Sequence, residues 1–423
     1  MHVGKIIRFY REKAGMTQDQ LGRGICSDTH VSKIERGSTD VSPEVITLLA
    51  DRLGIQIRQE LHHLAEIKKR LHAWHEAIML LLYDDMEVIK EELEKESLIQ
   101  ISDYKTLYKL LQGRYYLVHR KLGKAYGIIN EMERTKSKLP HYESNLLLHI
   151  TGIYLYYTQD YFKAIETLNS INEEEYNNPE YYYYLAMSYH WLESRMMAYY
   201  YSEKALRHFK DTHNFLKSID AEMLMLLQII YDDNRNYQTI ANRFENIIKS
   251  CDLCQAPQLK RIAVHNLGFL YQENKAYELA GRYYQQTMEL SEPKSALYLL
   301  SFEGYIQSCA EGKLLAKEEL LSMAQDGLSL SKEARDEVHI ARFYLLILFI
   351  EENIAEYYSS LRLTVLPILR KQGDAFLVHR YEKNLFNYYV ETNQTDLALE
   401  TASLFINKAK PAPALQAEKS LHQ

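Results

Sequence analysis

The chain is short of the residues that turn a backbone: 16 Gly and 8 Pro in 423 residues. That leaves little room for turns and favours helices. Cysteine is equally scarce, at four (Cys26, Cys251, Cys254, Cys309), which fits a reducing compartment and excludes a disulfide framework. Cys251-x-x-Cys254 has no second pair, so the expectation is two ordinary thiols and no metal. The His residues are scattered. His62, His63, His72 and His75 gather in sequence, but no Cys or carboxylate set completes a site. No glycine-rich phosphate loop, nucleophile elbow or HExxH is present, so neither a cofactor nor a catalytic residue is expected. The N-terminus shows no charged-then-apolar signal segment. The longest apolar runs, such as Tyr344–Ile350, fall far short of a membrane span. The expected location is the cytoplasm.

What is present is helical and rich in tyrosine. Apolar residues make up 47% and charged residues 25%, ordinary for a globular protein. Tyr stands at 35, a residue whose ring packs between helices while its hydroxyl reaches an edge. The length suits two or three domains or one long repeat array. Charge is uneven. Residues 1–53 carry 8 Lys+Arg and 7 Asp+Glu, net +1; the rest carry 42 and 50, net −8. Any contact with DNA is therefore expected from the first fifty residues or so, through local geometry more than bulk charge.

Those residues read as a small helical domain. Ile6, Ile7 and Tyr10 give one apolar face, and Gly15 ends that helix. Thr17 and Ser27 are cap candidates for the next two helices, and Ser42 with Pro43 starts a fourth. The run MTQDQLGRGICSDTHVSKIERG resembles the helix-turn-helix of phage repressors, through Thr17-Gln18, Leu21, Ser27, Val31-Ser32, Ile34-Glu35 and Gly37. The resemblance implies that Asp28, Thr29, Ser32 and Lys33 face base edges, with Ser27 opening the reading helix. Gln18, His30 and Arg36 lie near phosphates. The family often carries Gln where this chain has Asp28. An acid there accepts from cytosine N4 but repels phosphate, so each half-site is expected to bind modestly and dimerisation to be needed.

The stretch Arg261–Leu290 reads as two amphipathic helices. The first carries Val264, Leu267, Gly268 and Tyr271, the second Ala280, Tyr284 and Thr287. It resembles the tetratricopeptide repeat, with Leu-Gly-x-x-Tyr followed by Ala. The pattern recurs with first-helix centres at Gly113, Gly152, Ala186, Gln228, Gly268, Gly304, Leu346 and Phe386. The second-helix markers are Ala125, Ala164, Ala198, Ile240, Ala280, Ala316, Tyr358 and Ala398. The expected architecture is all-α. A helix-turn-helix domain occupies 1–55, a helical linker 56–72, about nine repeats 73–410 and a flexible tail 411–423, the repeats winding into a right-handed superhelix.

On repeat geometry, a concave groove is lined by first-helix residues near each centre. The candidates are Arg114, His265, Asn266, Phe269, Tyr305, Asn384 and Asn387. An Asn amide donates and accepts at once, so it can hold a peptide backbone, while rings form side-chain pockets. Arg114 is expected to meet a carboxylate of the ligand. The alternative is that such residues only pack between helices.

A repressor-type reader joined to such an array resembles the peptide-pheromone regulators of Gram-positive bacteria, the Rgg–Rap–NprR–PlcR–PrgX group. Length, repeat number and the GICSxxxxSKIERG run are most like the NprR branch; PlcR is shorter and Rap proteins lack the reader. The resemblance implies a quorum-sensing transcription regulator, not an enzyme. It would be gated by a short imported peptide bound in the groove, and pair as a homo-oligomer, a dimer or a peptide-bound tetramer, on a DNA operator. It also implies that the peptide-free form binds a response regulator of the sporulation phosphorelay, and that Asn266 in His265-Asn266-Leu267-Gly268 contacts the peptide backbone. Two other readings stand beside it. One is a Rap-like response-regulator phosphatase using a side-chain amide such as Gln59 or Gln100. The other is a non-catalytic repeat scaffold.

Overall fold

The computed structural model describes residues 2–101, 103–230, 236–372 and 375–408. The tail expected at 411–423 lies outside them. Every regular element among the described residues is helical. The chain divides into two compact units, Met1–Tyr181 and Tyr182–Gln423.

The first unit opens with four short helices: α1 (His2–Lys13), α2 (Gln18–Gly22), α3 (Asp28–Arg36) and α4 (Pro43–Leu53). Local capping sets their starts. Thr17 and Gln20 form a reciprocal capping box on α2, Ser27 Oγ accepts from His30 N on α3, and Ser42 Oγ accepts from Val45 N on α4. Gly37 and Gly54 end α3 and α4 in the left-handed conformation. Ile7, Leu21, Val31, Ile34 and Leu49 form the core of this bundle. Gly4 lets α1 approach α3, because a Cβ there would stand 2.1 Å from the carbonyl oxygen of Ile34.

The bundle continues into α5 (Ile57–Leu80) and α6 (Tyr83–Glu94). The linker expected at 56–72 is the first part of α5, one unbroken helix with Leu64, Ile67, Leu71 and Trp74 buried on one face. Trp74 is fully buried, and its indole N–H donates to the carbonyl of Met86 on α6 at 3.1 Å. Helix α1 packs on α5 and on the short turn Ser97–Ile101; Lys5 pairs with Asp103, and burial, with Glu60 nearby, pushes the Tyr10 phenol up to about 12. The helix pairs α7 (Lys105–Val118) with α8 (Leu122–Glu133), and α9 (His141–Tyr157) with α10 (Tyr161–Asn169), complete this unit.

The second unit runs through α11 (Tyr181–Trp191), α12 (Arg195–Asp211), α13 (Phe215–Ile229), α14 (Tyr237–Leu253), α15 (Pro257–Glu273) and α16 (Tyr277–Glu289). It continues with α17 (Ala296–Glu311), α18 (Lys317–Ala334), α19 (Glu337–Ile350) and α20 (Ile354–Ser360). A π-helical segment, Leu361–Val365, leads into α21 (Leu366–Gln372), followed by α22 (Ala375–Glu391) and α23 (Thr395–Lys408). Successive helices pack on their chain neighbours. Tyrosine fills the layers: Tyr189 stacks on Tyr201 at 5.6 Å, Tyr271 on Tyr283 at 5.4 Å and Tyr358 on Tyr388 at 3.7 Å.

The expected first-helix centres fall on alternate helices from Gly113 on α7 to Leu346 on α19, and Phe386 falls on α22, after a second helix broken into α20, the π-helical segment and α21. One second-helix marker is corrected. Ala316 is the N-cap of α18, and the buried small residues of that helix are Ala324 and Gly327, the latter against the ring of Phe343. The scarcity of glycine also has another explanation. Among the described residues, non-glycine side chains take the left-handed conformation at the inter-helix connections, including Arg120, Gln159, Lys275, Lys313 and Asn393. At Lys275 the amide donates to Gln272 O at 2.9 Å, and the next amide, Ala276 N, reaches back to Tyr271 O at 2.9 Å. One such residue per connection reverses the chain without glycine.

Candidate functional site

The reader surface is carried by α3. Asp28, Thr29, Ser32, Lys33 and Arg36 recur at helical spacing along one side and are exposed, except for half-buried Ser32, while Val31, Ile34 and Glu35 point inward. His30 is half-buried. Asp28 Oδ1 accepts from Thr29 N at 2.6 Å and from Thr29 Oγ1 at 3.1 Å, which occupies part of the acid's accepting capacity at the helix start. Arg36 Nε donates to the carbonyl of Ser32 at 3.2 Å.

Beneath this surface sits a charged anchor that the sequence does not reveal. Glu35 is 6% exposed and accepts from Arg11 Nε at 2.6 Å and Arg11 Nη2 at 3.0 Å, a two-pronged pair. Gln18 Nε2 also donates to Glu35, at 2.8 Å. The Gln18 amide nitrogen is therefore engaged inside the bundle, where a phosphate contact was expected. Its role in the structure is to tie α2 to α3.

The receptor candidates fall in both units. Arg114, in the first, is 2% exposed and pairs with Glu180, itself 2% exposed. The carboxylate expected from a ligand is thus supplied by the chain. His75 and His149 lie in the same buried polar region. Burial, aided by the charge of Arg114, pushes His75 down to about 4 and His149 down to about 3. His149 Nδ1 lies 2.9 Å from Tyr176 Oη.

The other candidates belong to the second unit. His265 Nδ1 lies 2.9 Å from Ser301 Oγ, its ring is 5.3 Å from that of Tyr284, and burial pushes its pKa down to about 3. It bridges α15 to α17 as a neutral ring, although an edge stays accessible. Tyr305 is half-buried, 3.6 Å from the Cβ position of Gly281, in the layer between α16 and α17. Phe269 packs at the margin of the core cluster that contains Leu267 and Tyr271. Asn384 and Asn387 are exposed on α22.

Asn266 differs from these. It is 8% exposed, yet among the described residues its side-chain amide has no hydrogen-bond partner. Buried amides are normally satisfied, so an amide held at a half-closed surface with both functions open is a ready contact for a peptide unit.

Among the described residues, no group of three or more His, Cys, Asp or Glu is placed to hold a metal, and no helix is long and apolar enough to cross a membrane. Cys251 is buried in the core, its thiol pushed up to about 11 by burial, and Cys254 is exposed.

Comparison with known proteins agrees with the geometry. Residues 7–59 match the helix-turn-helix family model. Over 407 residues the chain is 24% identical to the transcriptional activator NprA of Geobacillus stearothermophilus, covering 89% of this chain and 96% of that protein. It is 22% identical over 300 residues to response regulator aspartate phosphatase I of Bacillus subtilis (strain 168), covering 66% of this chain and 75% of that one. The solved structure of NprR in complex with its cognate peptide NprX superposes with a TM-score of 0.58 at 20% identity, covering 76% of this chain and 98% of that one. The chain is thus an all-α protein with an N-terminal helix-turn-helix and a tetratricopeptide-type array, similar in sequence and fold to the NprR and Rap regulators.

Proposed function

We propose that this chain is a quorum-sensing transcription regulator whose repeat array receives a short signalling peptide. The peptide alters how protomers associate, and so how two reader domains are spaced on DNA. The observation that carries the reading is the union, in one chain, of a helix-turn-helix with a polar stripe on α3 and a repeat array resembling that of a transcriptional activator over nearly its whole length. The peptide-bound NprR structure supports a peptide as the ligand class. Asn266 is our candidate for the main-chain contact, with Asn384 and Asn387 as exposed amides on another first helix of the array. A cytoplasmic location, a regulatory and not enzymatic role, pairing on a two-fold operator and docking of a response regulator by the peptide-free form all belong to this proposal.

Two experiments test it. In the first, peptides enriched from a randomised heptapeptide library on the purified chain are titrated calorimetrically into the wild type and Asn266→Ala. Losing the two-way amide bond should weaken binding by about one to two decades with the melting temperature unchanged. Equal affinity would put the peptide elsewhere. In the second, molar mass in solution is measured with and without the enriched peptide; an unchanged mass removes peptide-controlled assembly.

A further inference from the structure

Three successive helix pairs of the second unit enclose a depression of about 660 Å3, walled by the first turns of α15, α17 and α19 and by the turn after α16. Its lining includes the apolar side chains of Ile262, Leu297 and Val338. The lining residues Ser291, His339 and Arg261 also hold polar atoms that the protein leaves unmatched. Ser291 Oγ and His339 Nε2 are buried without a partner, on residues only 8% and 7% exposed. Arg261 Nε is buried and unmatched too, its Nη1 being committed to the carbonyl of Leu290 at 3.4 Å. Leaving such atoms unpaired costs free energy, which a ligand supplying their partners recovers.

Their chemistry selects the ligand. His339 Nδ1 lies 2.8 Å from Asp336 Oδ2, so the carboxylate takes that N–H and leaves Nε2 as an acceptor in want of a donor. Arg261 Nε–H is a donor in want of an acceptor, and Ser291 serves either way. A carboxylate ligand would satisfy only part of this set. It would also meet unfavourable charge, since Arg342 is already 2.7 Å from Glu303, Glu292 stands on the wall, and Asp336 backs the histidine. A group with C=O and N–H side by side satisfies the whole set: an amide.

We propose that this depression seats one amide unit and the adjacent aliphatic side chain of a bound peptide, the C=O on Arg261 and Ser291, the N–H on His339, and the side chain on the apolar lining residues. The inference rests on the peptide-receptor reading and adds a second anchor to it. Ile262 precedes Asn266 by one helical turn, about 6 Å, which an extended peptide covers in roughly two residues. The amide has two possible sources, the peptide's main chain or an Asn or Gln side chain.

The test uses small probes on the full chain, so it does not depend on finding the natural peptide. N-acetyl-leucinamide, N-acetyl-leucine and propionamide are titrated by saturation-transfer NMR into the wild type, Ser291→Ala and His339→Phe. N-acetyl-leucinamide should bind in roughly the millimolar range expected of a fragment. Each substitution should weaken it about 5- to 10-fold, the worth of one hydrogen bond. N-acetyl-leucine should bind more weakly than the amide. Propionamide as tight as N-acetyl-leucinamide would assign the seat to a side-chain amide, with the apolar lining unused. Stronger binding of N-acetyl-leucine, no binding of any probe, or binding indifferent to both substitutions overturns the proposal. If either variant melts below wild type, Ile262→Ala, at a side chain 40% exposed, replaces it and should weaken N-acetyl-leucinamide while leaving propionamide, which has no leucine side chain, unchanged. Probe binding with no peptide retained from the library would sink the receptor reading and leave the seat standing. The reverse result would sink only the seat.

Discussion

At the scale of residues, single contacts decide where helices start and how closely they pack. Thr17, Ser27 and Ser42 announce their helices because a cap bonds an amide only three positions on. Arg114 gives no such sign, since its partner Glu180 lies 66 positions away and only the packing of distant helices joins them. Gly4 looks dispensable in sequence and is not. Gly4→Ala would drive a methyl into the Ile34 carbonyl and should destabilise the reader bundle by about 3 kcal/mol. Operator footprinting and the thermal melt check this together, and a variant that melts and footprints as wild type would contradict the close approach. Lys275 offers the opposite case. Its φ of 59° suits glycine, so Lys275→Gly should gain up to about 1 kcal/mol despite the extra freedom of the unfolded chain. Denaturant unfolding midpoints measure it.

At the scale of elements, α3 and the segment after α20 make contrasting forecasts. Ser32→Ala with Lys33→Ala strips the exposed side of α3 without touching Val31 or Ile34. Operator affinity should fall by about 1–3 kcal/mol for each base-edge hydrogen bond removed, while affinity for a library-derived peptide stays level. Fluorescence anisotropy on labelled operator DNA decides it. The segment Leu361–Val365 explains an irregularity that a uniform repeat reading passes over. Pro367 cannot donate a backbone hydrogen bond, and Leu366 N instead reaches back five residues to Leu361 O. The wider turn puts the adjacent pair Val365 and Leu366 into one core with Leu361 and Leu369. Leu366→Ala should therefore cost about 2–5 kcal/mol and Leu363→Ala, 69% exposed, close to nothing. The displaced marker at Ala316 has a similar origin. The repeat period fixes which helix is second, but which small residue it buries depends on where Phe343 of the next helix lands.

At the scale of the whole molecule, buried histidines tie stability to acidity. His75 and His149 have folded pKa values near 4 and 3, below the 6.5 of the free side chain. The unfolded chain therefore takes up protons that the folded chain refuses. Stability is complete above about pH 6.5 and should fall by about 1.4 kcal/mol per pH unit for each ring as pH drops toward 4. Calorimetric melts across that window measure the slope. His149→Asn, which can keep the bond to Tyr176, should flatten it by about one ring's worth, and an unchanged slope would remove His149 as the cause. The same unit holds Trp74, sealed beside Tyr108 and Tyr115, while the chain's only other tryptophan, Trp191, sits in the second unit. Each unit thus carries its own intrinsic fluorophore. Trp191→Phe leaves a blue-emitting indole fed by neighbouring tyrosines, whose colour and lifetime follow the reader's half alone; Trp74→Phe leaves a partly solvated indole that follows the other half, so a signal sent between them can be timed optically without any label.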